Sequence, residues 1–244
     1  MLYFLCGSGA HRTLRAKENV MSLTLYIGNR VYSSWSIRSW LVLKYSGIEF
    51  ETLEIELDAA GYGKRQIKQV LEISPSGTVP VLNHDGLIIW DSLAICEYVA
   101  ELAPDRELWP TSPKARAVAR ALTAEMHAGF TSVRTVMPHN LKSRWVAQDW
   151  NEDTRREILR LDAIFSKTRN QCGGRFFFGD RPTIADAFYT PIASRFRTYG
   201  VTLSDDAQAY CEVLLSEPHF LAWEQAALAA WKPFKAAPWD TIYQ

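Results

Sequence analysis

The spacing of hydrophobic and polar residues changes twice near the start of the chain. Leu23 to Ile27 is a short apolar run that predicts a buried strand. A polar loop follows, and from Trp35 the apolar residues recur near helical spacing as far as Gly47, a residue typical of a helix end. Residues 50–55 then alternate apolar and charged positions, which predicts a second strand. A strand, a helix and a strand in this order predict a βαβ unit with two parallel strands.

The next fifty residues complete an α/β half. Residues 64–72 predict a short helix. Residues 79–82 and 87–90 predict two strands, and the Asn-His-Asp-Gly segment at 83–86 between them is typical of a hairpin turn. Residues 93–102 predict a helix. The resulting order βαβαββα is that of the thioredoxin fold, so we expect a thioredoxin-like domain over residues 22–103.

Strand signals disappear in the second half of the chain. The aperiodic, proline-containing stretch 104–112 predicts a linker. Helical patterns follow at about 113–142, 152–170, 184–199, 206–216 and 219–231. Thr183 and Asp186 stand three residues apart at one helix start, which predicts a capping box. We therefore expect an all-α domain over residues 113–244.

Composition narrows the classes of function. The chain has 27 Lys and Arg against 27 Asp and Glu, and this zero net charge argues against nonspecific nucleic-acid binding. Its four cysteines are scattered without a C-x-x-C pair, which favours a reducing, cytoplasmic compartment and no metal site. No apolar run approaches the ~20 residues of a membrane span. Residues 1–21 carry basic residues after their apolar stretch, unlike a signal peptide, so we expect a flexible extension or the product of an upstream start.

Four segments, at residues 33–38, 74–82, 90–98 and 178–186, together resemble the cytosolic glutathione transferase superfamily. The first, Ser-Ser-Trp-Ser-Ile-Arg, resembles the active-site serine segment of its zeta, theta and tau-like classes. The resemblance covers about residues 22–232. It implies a thioredoxin-like N-terminal domain followed by the all-helical C-terminal domain of this superfamily. It also implies glutathione as co-substrate without a metal, a small electrophilic second substrate, a homodimer and a role in detoxification.

The resemblance also implies a glutathione site. Val79-Pro80 resembles the family's cis-proline motif, in which the Val79 backbone pairs with the cysteinyl backbone of glutathione as a neighbouring strand would. Asp91 and Ser92 resemble the helix start that binds the γ-glutamyl group, because a helix N-terminus suits a carboxylate. The alternative is that they form a simple helix cap. Gln66 lies where the family contacts the glycyl carboxylate.

The serine segment carries the expected chemistry. Only the thiolate is a good nucleophile, and lowering a thiol pKa of about 8.5 by two requires roughly 2.7 kcal/mol. A hydroxyl donor can supply about 1.5–3 kcal/mol and a helix start about 0.3–2. The first candidate donor is Ser33, and the second is Ser34, which we expect to cap the helix. Tyr26 is a further alternative that strand packing explains better. Arg38 could assist the thiolate, although pairing with an acid is favoured.

Five residues are candidates for the second-substrate pocket: Tyr32, Trp35, His127, Phe130 and Arg134. Tyr32 is interpreted more simply as loop surface, and Arg134 could orient an acidic substrate or form a surface salt bridge. Trp35 stands where the zeta pattern has a cysteine, which weakens any inference of maleylacetoacetate isomerase activity. The sequence therefore favours conjugation of glutathione to an electrophile. Isomerisation, peroxide or disulfide reduction, and glutathione binding without catalysis remain alternatives.

Overall fold

A computed structural model of the chain describes residues 22–56, 67–146 and 148–232. Within this part, four strands form one sheet in the order β2-β1-β3-β4. They are β1 (Leu23–Ile27), β2 (Glu51–Glu54), β3 (Val81–His84) and β4 (Leu87–Ile89). Strand β1 is parallel to β2 and antiparallel to β3, and β3 is antiparallel to β4. The parallel pair confirms the predicted βαβ unit.

Three helices accompany this sheet: α1 (Ser34–Ser46), α2 (Lys68–Leu71) and α3 (Ser92–Leu102). The predicted helix at 64–72 is observed only as the single turn of α2, and its first residues lie outside the described part. Asp85 and Gly86 join β3 to β4 with φ of 49° and 92°. Two successive positive φ angles match the tight hairpin turn that suits the twist of paired strands.

The second half of the described chain is helical. It contains α4 (Pro113–Ala128), α5 (Thr131–Val136), α6 (Glu152–Cys172), α7 (Ile184–Thr198), α8 (Asp205–Leu215) and α9 (Pro218–Ala229). A short 3-10 helix, Pro104–Arg106, lies in the predicted linker. The sheet with its helices, followed by a helical domain, confirms the predicted fold class.

The prediction of one helix over residues 113–142 is wrong. Helix α4 ends at Gly129, where a Cβ atom would come within 2.8 Å of the Glu125 carbonyl oxygen, so this close approach requires glycine. Phe130 follows in the left-handed region with φ of 57°. Helix α5 ends before Pro138, since proline disfavours a helical residue ahead of it. The last turn of α4, just before the break, carries His127, which contacts Asp91 of the first domain.

Helix α1 lies between the sheet and the helical domain. One continuous hydrophobic core includes Leu25 and Ile37 of the first domain together with Phe188 and Trp223 of the second. Helix α7 is buried along almost its whole length and packs on α1. The N-terminal residues of α1 therefore lie where both domains can contact them.

Candidate functional site

Ser33 is the N-cap of α1. Its hydroxyl oxygen accepts a hydrogen bond from the Ser36 backbone N–H at 3.3 Å and donates to the Ser36 hydroxyl at 2.7 Å. The prediction that Ser34 caps this helix is wrong by one residue, because Ser33 is the last residue with extended backbone angles. The Ser33 hydroxyl proton is therefore engaged within the helix start.

Ser34 has a different partner. Its hydroxyl oxygen accepts a hydrogen bond from Nη2 of Arg195 on α7 at 3.1 Å, across 161 positions of sequence. Among the described residues, none accepts a hydrogen bond from the Ser34 hydroxyl in return. Arg195 also donates to the carbonyl oxygens of Met137 at 2.8 Å and Pro191 at 3.3 Å. Sequence reasoning missed Arg195, since no local motif marks it.

A cleft of about 660 Å³ opens beside the start of α1. Seven of the predicted site residues line it: Trp35, Val79, Pro80, Asp91, Ser92, His127 and Arg134. Four further lining residues were not predicted: Ser76, Thr78, Trp90 and Ala128. Ser76, Thr78 and Trp90 lie inside the segments 74–82 and 90–98 that resemble the family, so the motifs themselves were the available signal for these three. The cleft thus brings together predicted glutathione-binding residues and part of the predicted second-substrate pocket, whereas Ser33 and Ser34 are next to it in sequence but are not among its lining residues.

The Val79-Pro80 segment forms one wall. Its peptide bond is cis, which confirms the prediction from the motif. Neither the N–H nor the C=O of Val79 hydrogen-bonds to another described residue. Most backbone N–H and C=O groups in folded proteins are paired, so an unpaired N–H and C=O on the same residue are unusual. An extended peptide ligand can use both groups of Val79 as a neighbouring strand would.

The start of α3 forms a second wall. The Asp91 carboxylate accepts hydrogen bonds from Leu93 N–H at 3.0 Å and Ala94 N–H at 3.4 Å, so Asp91 is the N-cap of α3. Ser92 is 1% exposed, and its hydroxyl oxygen has no hydrogen-bond partner among the described residues. Buried polar groups are normally satisfied, so this hydroxyl is available to a ligand.

His127 links α4 to this wall. Its Nε2 lies 2.9 Å from the second oxygen of Asp91, and its ring packs edge-on against Trp35. The hydrogen bond from His127 is the main reason why the pKa of Asp91 is lowered from its ordinary value. The pair joins the two domains across the cleft.

Two arginines flank Trp35. The guanidinium of Arg38 lies 4.3 Å from the ring centroid and that of Arg134 lies 4.8 Å away. Arg134 donates to the carbonyl oxygens of Met126 and His127, and neither arginine forms a salt bridge with a described carboxylate. The expected acid partners are therefore not found in the described part. Burial, and then the nearby arginines, lower the pKa of Arg38 well below its ordinary value.

Other predicted residues lie elsewhere. Tyr32 is buried, and its hydroxyl accepts a hydrogen bond from Trp231 Nε1 at 3.2 Å, so its interpretation as loop surface is wrong. Phe130 lines a separate groove between α5 and α6, at the end of α4. Tyr26 packs in the smaller cluster on the far side of the sheet, as strand packing requires. Gln66 lies outside the described residues.

Two negative findings apply to the described part of the chain. No helix there combines the length and apolarity needed to cross a bilayer. No group of three or more His, Cys, Asp or Glu side chains there is placed to hold a metal ion.

The fold defines a two-domain class, a thioredoxin-like domain followed by an all-helical one, with a cleft beside the helix between them. Residues 32–102 match the family model of the glutathione S-transferase N-terminal domain. Residues 145–231 match that of the glutathione S-transferase C-terminal domain. The chain belongs to the glutathione S-transferase superfamily and is zeta-like within it.

Its relatives agree with this placement. The maleylacetoacetate isomerase of Rhizobium meliloti is 31% identical over 179 residues, which cover 70% of this chain and 81% of the relative. The probable maleylacetoacetate isomerase of Caenorhabditis elegans is 29% identical over 200 residues, covering 81% and 91%. A Burkholderia glutathione transferase homolog crystallised with bound glutathione shares the fold, with a TM-score of 0.63 and 23% identity over 86% of this chain and 99% of that one.

Proposed function

We propose that this chain binds glutathione in the cleft and uses its thiolate to attack a small electrophile. The observation that carries the proposal is the buried, unpaired hydroxyl of Ser92 at the start of α3, in the same cleft as the free backbone of Val79. A carboxylate at a helix N-terminus and a peptide along a strand edge are the two groups that these features suit. Glutathione carries both in one molecule.

The predicted glutathione-binding residues then each have a role. Ser92 and the N-terminus of α3 hold the γ-glutamyl carboxylate, since the helix dipole favours an anion there. Val79 pairs with the cysteinyl backbone, and Pro80 sets the direction of that wall. Asp91 places its negative charge near the glutamyl ammonium while capping α3. We keep Gln66 as a candidate contact to the glycyl carboxylate.

We assign activation of the glutathione thiol to Ser33 and Ser34 at the start of α1. A hydroxyl that donates to sulfur favours the thiolate by about 1.5–3 kcal/mol, as hydrogen bonds to charged groups do. The proton of the thiol leaves to water, so no general base is needed. Trp35, His127 and Arg134 shape the part of the cleft left for the second substrate.

Two reaction classes remain open under this proposal. Conjugation to an electrophile requires only the thiolate and the cleft. Glutathione-dependent isomerisation is favoured by the relatives named maleylacetoacetate isomerase, and cationic Arg134 on the cleft wall suits an acidic substrate. A panel of aryl halides, maleyl compounds, hydroperoxides and disulfides, each assayed with glutathione, separates these classes.

The test of binding is calorimetric titration with glutathione. Ser92→Ala should weaken binding about tenfold, the equivalent of one lost hydrogen bond to a charged group. Ser216→Ala, a change at an exposed serine at the end of α8, is the matched control and should bind as the wild type does. A wild-type protein that does not bind glutathione would contradict the proposal.

We also propose that the protein is a cytoplasmic homodimer, as its family leads us to expect. Gel filtration with light scattering measures the mass directly. A monomer of 27.7 kDa at micromolar concentration would rule out the dimer without affecting the binding proposal.

A further inference from the structure

The two serines at the start of α1 differ in what their hydroxyl protons do. The Ser33 hydroxyl donates to Ser36 at 2.7 Å as part of the helix cap. The Ser34 hydroxyl only accepts, from Arg195 at 3.1 Å, and no described residue receives its proton. Arginine has no acceptor atom, so this contact forces the hydroxyl to direct its proton elsewhere.

We propose that Arg195 is a positioning residue that orients the Ser34 hydroxyl, and that Ser34 rather than Ser33 donates to the sulfur of bound glutathione. The inference rests on the proposed function and assigns a residue of the helical domain to thiol activation. In the step itself the S–H bond breaks and its proton passes to water. The Ser34 proton stays on its oxygen and hydrogen-bonds to the resulting thiolate.

The guanidinium of Arg195 is fixed for this role. Its Nε and Nη1 donate to the carbonyl oxygens of Met137 and Pro191, which leaves Nη2 aimed at Ser34. Arg195 is 4% exposed, and Ser34 is 7% exposed. The guanidinium group is planar, and two of its nitrogens are already hydrogen-bonded. The third nitrogen can therefore donate to Ser34 with little further loss of side-chain conformational entropy. The contact is therefore preorganised before any ligand binds.

Arg195 also brings charge close to the reacting group. A buried cation that donates to a hydroxyl oxygen withdraws electron density from it and strengthens the O–H as a donor, as neighbouring hydrogen bonds polarise one another. Two of the charged or titratable groups that interact with Arg195 are Arg38 on α1 and His139 in the segment after α5. Both are buried, and both remain unchanged in the variants below.

The test measures the pKa of the thiol of bound glutathione, from the ultraviolet absorbance of the thiolate against pH at saturating glutathione. We expect Ser34→Ala and Arg195→Gln each to raise this pKa by about 1, the lower end of the effect of a charged neighbour. The double variant should be no worse than Ser34→Ala, because Arg195 acts through that hydroxyl. Ser34→Thr, which keeps a hydroxyl, should restore most of the effect.

Arg197→Gln is the matched control. Arg197 lies two residues further along α7 and pairs with Glu224, so this change removes the same charge from the same helix without touching Ser34. It should leave the thiol pKa within error of the wild type. A purely structural role for Arg195 would lower the melting temperature without moving the thiol pKa.

Three results would overturn the inference. One is a larger rise of the thiol pKa in Ser33→Ala than in Ser34→Ala. Another is an Arg195→Gln effect that is equally large in the Ser34→Ala background. The last is a Ser34→Ala variant in which the pKa of the bound glutathione thiol equals that of the wild type. This result would overturn the inference even if Arg195→Gln does not fold. Failure of the wild type to bind glutathione by calorimetry would instead defeat the proposed function.

Discussion

Asp91 has two partners, one in each domain. One of its carboxylate oxygens caps α3 through Leu93 and Ala94, and the other lies 2.9 Å from His127 Nε2 on α4. The hydrogen bond from His127 lowers the pKa of Asp91, with the α3 amides adding to it, so the folded protein favours the ionised form. The charge of a single side chain therefore contributes to the cohesion of the cleft.

This predicts a pH-dependent effect of Asp91→Asn, which keeps the cap oxygen and removes the charge. The folded pKa is below the unfolded value of about 3.9. The stabilisation is therefore present above that pH and is lost as the pH falls through the folded pKa. Urea unfolding should show Asp91→Asn to be less stable than wild type at pH 7, with a difference that shrinks below about pH 4.

The control for this prediction is His127→Gln, which removes the largest cause of the shift. In that background, Asp91→Asn should change the stability less at pH 7, because the two side chains act as a pair. A stability difference between wild type and Asp91→Asn that stays constant from neutral to acid pH would show that the carboxylate pKa is not lowered.

The cleft residues that short sequence motifs predicted are those whose geometry is local. Val79-Pro80 and Asp91-Ser92 are each adjacent in sequence. The first pair forms the turn before β3, and the second pair forms the start of α3. The choice between Ser33 and Ser34 depended on a one-residue helix boundary, which periodicity does not resolve. Arg195 reaches Ser34 across 161 positions, and only the packing of α7 on α1 brings them together.

Helix α7 begins at a capping box with an unusually complete set of bonds. Asp186 is fully buried and accepts hydrogen bonds from Thr183 N–H at 2.8 Å, the Thr183 hydroxyl at 2.7 Å, Phe177 N–H at 3.0 Å and the Tyr210 hydroxyl at 2.7 Å. These bonds join the loop before α7 and helix α8 to the helix start. The predicted capping box is confirmed, and the structure adds Phe177 and Tyr210 to it.

We expect Asp186→Asn to lower the free energy of unfolding by about 3–5 kcal/mol, the scale for a broken buried polar network. Each carboxylate oxygen of Asp186 accepts hydrogen bonds from two donors. In asparagine an NH2 group, itself a donor, replaces one of these oxygens, so at least one buried donor loses its acceptor. Urea denaturation followed by circular dichroism measures the loss. Asp180→Ala removes an exposed carboxylate nearby and should cost less than about 1 kcal/mol; equal losses in the two variants would refute the role given to Asp186.

Most elements followed from periodicity, and the exceptions have local causes. The break between α4 and α5 comes from Gly129 and Phe130, where a close backbone approach ends a pattern whose apolar spacing continues without interruption. Apolar spacing alone therefore predicts one helix where two exist. The hairpin between β3 and β4 was predictable because Asp85-Gly86 accommodates two positive φ angles in sequence.

At the scale of the whole molecule, the two domains share a core. Trp223 of α9 is fully buried and packs against Trp40 of α1, with ring centroids 5.2 Å apart, and its Nε1 donates to the Arg30 carbonyl oxygen at 3.1 Å. Trp231 Nε1 donates a hydrogen bond to the hydroxyl of Tyr32, which lies in the same loop as Arg30. The loop at residues 28–33 is therefore held by helix α9 and Trp231 as well as by its own domain, and we expect the domains to unfold together.

Trp223→Ala tests this coupling. Removing a buried tryptophan should lower the free energy of unfolding by about 3–5 kcal/mol, whereas Leu228→Ala, at a side chain 45% exposed on the same helix, should have little effect. Hydrogen exchange resolves the domains separately, and peptides from β1 and α7 should lose protection by the same amount, because a two-state protein opens as a unit. If only α7 lost protection while β1 kept that of the wild type, the first domain would be stable alone and Trp223 would not couple them.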